Sequence, residues 1–435
     1  MERFALSRMK EWKENENRKP LIIRGARQVG KTWIMKTFGQ QYFEKTAYVN
    51  FDNNARMKQV FEGDLDIERL VLAISAETGV SIEADNTLII FDEIQEVPKA
   101  LTSLKYFHEN APQYAIVAAG SLLGVALHQG TSFPVGKVDF LDLYPLNFRE
   151  FLCAMGEKQF VSMLDSCDTQ MVTVFKTKYI ERLREYYFVG GMPEVVKDFS
   201  EKKDYNRVRA IQKNLINYYQ QDFSKHAEIK LVPRLNLVWN SIPMQLAKEN
   251  KKYIYGQVRE GSRAKDFELA IQWLLDCGLI HKVQRIQKPD LPLKAYIDFD
   301  AFKLFLVDIG LLIAMTDLDA KVIIEGNKIF TEFKGSLTEQ YILQQLISDV
   351  GVIPYYYSTQ NSKGEIDFLV QGKTSVIPIE VKAEENLKAK SLKAFCEKYQ
   401  PSYAVRTSMS DYREQDWMTN IPLYAIKWIE NYVNQ

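Results

Sequence analysis

The chain has little cysteine: four in 435 residues, Cys153, Cys167, Cys277 and Cys396, with no pair spaced as CxxC. That spacing excludes a zinc ribbon or a disulfide framework and leaves buried thiols in a reducing compartment. Net charge is also missing, because 56 Lys and Arg are balanced by 56 Asp and Glu. Whole-chain electrostatics therefore point to no acidic partner, and any basic surface must be local. Nor is there a long hydrophobic run. The most apolar stretch, Phe302 to Met315, is interrupted by Lys303 and Asp308. It is too short to span a bilayer and reads as a buried helix. The first twenty residues, MERFALSRMKEWKENENRKP, are polar and lack the apolar core of a signal peptide. A cytoplasmic protein with no membrane partner is the expectation. Repeats and low-complexity linkers are absent, so domain boundaries are soft.

What is present, 46% apolar and 26% charged residues, is the composition of a globular protein, and the length implies two to four domains. Residues 20–150 alternate short apolar runs (Leu21–Arg24, Ala47–Asp52, Leu88–Phe91, Tyr114–Ala119) with segments of helical spacing, and Lys137–Leu143 reads as a fifth strand. That alternation predicts a parallel sheet covered on both faces. Residues 151–235 lose the strand signal and become long aromatic-rich helices broken by a turn at Gly190-Gly191. Residues 236–322 hold three helices and a strand pair. Residues 323–435 read as a helix (Ser336–Leu346), strands at Pro354–Ser358, Glu365–Val370 and Val376–Lys382, and a helix at Leu387–Tyr399.

The first chemistry-bearing motif is the run Gly25, Ala26, Arg27, Gln28, Val29, Gly30, Lys31, Thr32, which matches G-x-x-x-x-G-K-[ST] between a strand and a helix. Its glycines let backbone N–H groups turn inward on phosphates. The following helix points its positive end at them, Lys31 reaches the β- and γ-phosphates, and the Thr32 hydroxyl ligates Mg²⁺. ATP with Mg²⁺ is the expected cofactor pair. The second motif, Leu88-Ile-Ile-Phe91-Asp92-Glu93, puts two carboxylates at the C-terminal end of a buried strand, where open α/β sheets place ligands. Asp92 would hold Mg²⁺ and Glu93 would act as general base toward the attacking water. The strand at Ala47–Asp52 between the two motifs and the extra Glu93 favour a RecA/AAA-like arrangement. The fourth strand ends at Gly120-Ser121, and Ser121 either senses the γ-phosphate or caps the next helix. Arg27 and Arg149 are candidates for an arginine finger, although a structural role suits both better.

The run from this loop through FDEIQEVP, AAGSLLG and LYPLNFREFL resembles a prokaryotic family of AAA-like ATPases. In that family a C-terminal domain of unknown function with a restriction-endonuclease-like fold follows the ATPase. The resemblance extends to YYFVGGMPEVV, FKLFLVDIGLL, GSLTEQYILQQL and EIDFLV…IPIEVKA, nearly the whole chain. One departure is Lys137, where relatives carry Arg; if that Arg serves the phosphates, turnover here is slow.

In the C-terminal part, Asp367 and the pair Glu380-x-Lys382 lie on neighbouring strands. Alternation puts Glu380 and Lys382 on one face, and a turn near Gly372 would bring Asp367 beside Glu380. Two such carboxylates can hold Mg²⁺ while the lysine orients water. The pattern resembles the PD-(D/E)xK nuclease site, with Glu339 as its additional acid; a charged, solvated sheet face is the bland alternative. Residues 241–290 carry nine Lys and Arg against six Asp and Glu. Their helical and strand segments look like a winged helix-turn-helix, equally suited to reading DNA and to packing. The expected fold is therefore α/β: an AAA-like P-loop sheet over 1–150, a helical segment over 151–235, a winged helix over 236–322 and a restriction-endonuclease-like domain over 323–435. The leading expectation is a Mg²⁺-dependent ATPase acting on nucleic acid, DNA or RNA, with a nuclease-like C-terminal domain and self-association a further expectation. The alternative is a nucleotide-dependent switch or scaffold for protein partners, with an inactive nuclease fold that cuts nothing.

Overall fold

The structure, a computed structural model, describes residues 1–120, 134–248, 251–324, 331–359, 364–384 and 389–435. The chain divides into two compact units, Glu2–Tyr144 with Asp276–Leu279, and Pro145–Leu275 with Ile280–Gln435.

The first unit is built on five strands, β1 (Leu21–Arg24), β2 (Lys45–Asn50), β3 (Thr87–Asp92), β4 (Ala115–Ala119) and β5 (Asp139–Asp142). They lie in the order β2-β3-β4-β1-β5, and every pair is parallel. Around them are α1 (Ala5–Glu14), α2 (Lys31–Tyr42), α3 (Ala55–Glu62), α4 (Ile67–Thr78) and α5 (Pro98–Asn110). Leu88, Ile89, Ile90 and Phe91 are all fully buried. A strand apolar on both faces must be covered on both, and β3 lies inside the sheet while β2 takes the edge. The register aligns Ile22 with Ala118 and Phe91 with Ala118. The C-terminal ends of β1 and β3 therefore meet along one edge of the sheet, with β4 between them. Phe51, Phe61, Phe91 and Phe107 pack edge to face at 5.4–6.5 Å between centroids and fill the space under α3 and α5.

The second unit opens with helices, of which Lys176–Val189 and Tyr205–His226 are the long pair expected from the aromatic spacing. Tyr186, Tyr187, Phe188 and Tyr219 are buried, as core residues should be, and Tyr218 is half-exposed. Helices Val232–Leu246, Tyr255–Val258 and Ala264–Asp276 precede a hairpin of β6 (Ile280–Ile286) and β7 (Ile297–Leu306). This hairpin does not close on itself. β6 pairs in parallel with β8 (Tyr355–Ser358), which continues into β9 (Glu365–Gln371) and β10 (Val376–Val381). Beyond them lie β11 (Val405–Ser408), β12 (Arg413–Gln415) and β13 (Met418–Pro422), completing one mixed sheet in the order β12-β13-β11-β10-β9-β8-β6-β7.

The stretch Phe302–Met315 is not one helix, as its hydrophobicity suggested. Its first half is the end of β7, and a helix runs only over Ile309–Met315. Both faces of β7 are covered there, so the alternation that marks a strand is erased. Asp308 makes the switch by accepting the N–H of Leu311 at 3.1 Å, an N-cap that the sequence carries in plain view. The same carboxylate accepts Gly191 N–H at 2.6 Å and Gln344 Nε2 at 3.3 Å. A Cβ on Gly190 would lie 2.2 Å from Asp308 Oδ1. The Gly190-Gly191 turn is thus a docking point for Asp308. Burial pushes the Asp308 carboxyl up to about 6 against these donors. No helix of the described residues is long and apolar enough to cross a membrane.

Candidate active site

The loop after β1 starts at Gly25 with φ +146, where a Cβ would sit 2.2 Å from the Leu143 carbonyl oxygen. No side chain fits there, which gives this glycine a steric as well as a conformational reason. Gln28 takes a left-handed turn (φ 65), and Gly30 (φ 95) forms the N-cap of α2 without a side-chain cap. The first N–H groups of a 12-residue helix are therefore aimed back into the loop. Arg3 braces the outside, donating to Val29 O at 2.9 Å and Tyr144 O at 2.6 Å.

Lys31 is buried and donates to the carbonyls of Gly25 (2.9 Å) and Ala26 (2.8 Å). Burial pulls its ammonium down to about 8, although Glu93 and Asp92 draw it upward. Thr32 Oγ1 donates to Asp92 Oδ2 at 2.7 Å across the sheet edge. The loop and the acid that ends β3 are thus in contact, and two hard oxygens lie side by side. That donor set suits a Mg²⁺ ion, which takes few protein ligands and completes its octahedron with water and phosphate.

Tyr48 OH donates to the same Asp92 oxygen at 2.9 Å, and its phenol is held well above the usual range by burial and by Asp92. Lys36 stands 3.7 Å from the centre of its ring. Glu93 leaves the strand in the left-handed region (φ 50), and its Oε2 accepts Gln95 Nε2 at 2.7 Å. Tyr48, Gln95 and Arg3 were not found from the sequence. Period-two alternation along β2 does place Tyr48 opposite to the buried Ala47 and Val49. Gln95 and Arg3 carry no local signal. Ser121 lies outside the described residues. Lys137 pairs with Glu109 at 2.9 Å. In the second unit Arg149 bonds Asp165 and, at 2.8 Å, Asp349, the environment of a structural arginine.

Residues 17–152, most of the first unit and the start of the second, match a family model described as an AAA domain. The first unit is AAA-like. Its parallel sheet, its loop and its acid-tipped β3 form a P-loop nucleotide-binding domain of that kind. Residues 180–322 and 334–426 match two domains of unknown function, DUF8612 and DUF4143. No curated protein matches the chain. Among solved structures, a Walker-type ATPase of Pyrococcus abyssi aligns at 15% identity over 72% of this chain and 95% of that one, with a TM-score of 0.44. The ORC1 protein of Aeropyrum pernix in complex with DNA aligns at 13% identity over 72% and 91%, with a TM-score of 0.27. RuvB of Thermotoga maritima aligns at 12% identity over 64% and 87%, with a TM-score of 0.29.

The second set of expected residues falls in the other unit, where Phe368 of β9 pairs with Ile379 of β10, so that Asp367 and Glu380 follow at neighbouring positions of the two strands. Asp367 Oδ2 accepts the N–H of Val381 at 2.7 Å, and Glu339 stands among the groups that raise its pKa. Glu380, buried, pairs with Lys382 at 2.8 Å. The charge of Glu380 is felt by Arg406 and Cys396. Lys251 bonds Glu339, and Lys303 lies 3.6 Å from Glu339 while bonding Glu365. Burial and the neighbouring Glu339 push Asp367 up to about 7, while Lys303 is driven upward by Glu339, Glu365 and Asp367 in spite of its burial. Lys251 and Lys303 hold Glu339 below the usual carboxylate range. A Mg²⁺ ion does not fit between Glu339 and Glu365, where the ammonium groups of Lys251 and Lys303 already lie. Among the described residues no three His, Cys, Asp or Glu side chains are grouped to hold a metal.

Proposed function

We propose that this chain is a Mg²⁺-dependent ATPase whose nucleotide cycle drives its second unit. The observation that carries the reading is the 2.7 Å contact between Thr32 and Asp92, with Glu93 next in sequence. The loop N–H groups and the N-terminus of α2 would take the β- and γ-phosphate oxygens. Lys31 would turn from the Gly25 and Ala26 carbonyls to the same phosphates, exchanging neutral acceptors for charged ones. Thr32 and Asp92 would hold Mg²⁺, which neutralises charge on the transferring phosphoryl group. Glu93, released from Gln95, would accept the proton of the attacking water. No arginine finger is assigned. Phosphate release from ATP, measured with wild type and Lys31→Ala, tests this reading; a Lys31→Ala protein that hydrolyses normally would sink it.

Two tasks remain for the cycle. Action on nucleic acid is favoured by the presence of Asp367, Glu380 and Lys382, while the basic excess over 241–290, nine Lys and Arg against six Asp and Glu, is modest for it. A switch or scaffold that binds partners without cutting them is favoured by a more specific observation, the lysines among the C-terminal carboxylates. We favour the second.

A further inference from the structure

Glu339 comes from the helix Thr331–Gln345, and Glu365 and Asp367 come from β9. Two lysines reach the same place from elsewhere in the second unit. Lys303 on β7 is fully buried, bonds Glu365, approaches Glu339 Oε2 to 3.6 Å and stands 4.8 Å from the Tyr356 ring centre. Lys251 is nearly buried and bonds Glu339. Burying an ammonium is unfavourable unless carboxylates surround it, so these lysines sit where they do because of the acids. The two cations match Glu339 and Glu365 in charge. A divalent ion entering among the same oxygens would have to displace them, or lie beside them in a medium that screens like charge poorly. Asp367 accepts the Val381 N–H and Glu380 Oε1 pairs with Lys382, while Glu380 Oε2 is buried with no hydrogen-bond partner among the described residues.

We propose that Lys251 and Lys303 occupy the place of a metal cation in the C-terminal unit. The carboxylate cluster then fastens β7 and the Lys251 segment to the helix Thr331–Gln345 and to β9, and it cleaves no phosphodiester. This deepens the switch reading above. It concerns the second unit alone, so its failure and the failure of ATP hydrolysis are separate results.

The test is titration of the full-length, nucleotide-free protein with Tb³⁺, read by tyrosine-sensitised luminescence, for which Tyr356 is a built-in antenna. Supercoiled plasmid with Mn²⁺ is run in parallel. Wild type is expected to show no saturable signal that Glu339→Gln removes, and no plasmid nicking that Asp367→Asn removes. Lys303→Met keeps the stem and deletes the cation. It is expected to create a saturable signal at least tenfold above wild type, lost again in Lys303→Met/Glu339→Gln. If Lys303→Met does not fold, Lys251→Met, at the edge of the cluster, should show the same gain. A wild-type signal abolished by Glu339→Gln, nicking abolished by Asp367→Asn, or a folded Lys303→Met protein with no gained signal would each overturn the proposal.

Discussion

Nucleotide affinity should begin to fall near pH 8, far below the range in which an ordinary lysine titrates. Lys31 is the cause: burial lowers its pKa from 10.5 to about 8 in the empty loop. Bound phosphates require the ammonium, so affinity follows the charged fraction of the free protein. At pH 9 that fraction is roughly one in eleven, against nearly all at the ordinary value, so binding weakens about tenfold between pH 7 and pH 9, or about 1.4 kcal/mol. Tyr48 titrates well above this window and does not contribute. The assay is a fluorescent, non-hydrolysable ATP analogue titrated from pH 7 to 9.5, with Lys31→Arg as the comparison. A guanidinium keeps its charge, so that variant binds weakly but with a flat profile. Wild-type affinity that stays flat to pH 9.5 would refute the reasoning. Folding has the opposite sign. Between pH 8 and 10.5 the unfolded chain holds more protons on Lys31 than the folded one. Stability of the empty protein therefore rises with pH across that window, by at most about 3 kcal/mol, relative to Lys31→Met.

Tyr48→Phe removes a hydrogen bond to Asp92 without touching the loop. The Mg²⁺ concentration for half-maximal nucleotide binding should rise about tenfold while affinity in EDTA is unchanged; a parallel change in both would show that Tyr48 only supports the fold. Gly25→Ala forces a Cβ to within 2.2 Å of the Leu143 oxygen at φ +146. It should cost about 2–4 kcal/mol in urea unfolding, and an unchanged midpoint contradicts the geometry. Asp308→Ala deletes the cap on Leu311 and strands the Gly191 N–H. Its expected loss is about 2–4 kcal/mol, and a loss below about 1 kcal/mol would show the network to be unimportant.

The first unit was largely legible because its signals are local. Gly25–Thr32 and Leu88–Glu93 each announce a strand and its exit within a dozen residues, and the parallel sheet follows from strands alternating with helices. The second unit was less so, because its organisation rests on distant pairs. Nothing near Lys251 or Lys303 says that Glu339, 88 and 36 residues away, will receive them. Likewise the β6–β7 hairpin looked separable until β6 paired with β8, and β11–β13 were not read at all. Three segments that carry the family resemblance do converge: Gly191, Asp308 and Gln344 share one buried hydrogen-bond network. Each looked like an isolated motif, since a network of this kind has no sequence period.

The most direct test of the central claim compares bound nucleotide in wild type and Glu93→Gln after incubation with ATP and Mg²⁺. Glu93→Gln keeps the loop, Lys31, Thr32 and Asp92 and loses only the proposed base. The account predicts that wild type releases phosphate, while Glu93→Gln binds ATP within a few-fold of wild type and retains it intact. A Glu93→Gln protein that turns ATP over at the wild-type rate, or one that no longer binds it, would contradict the account.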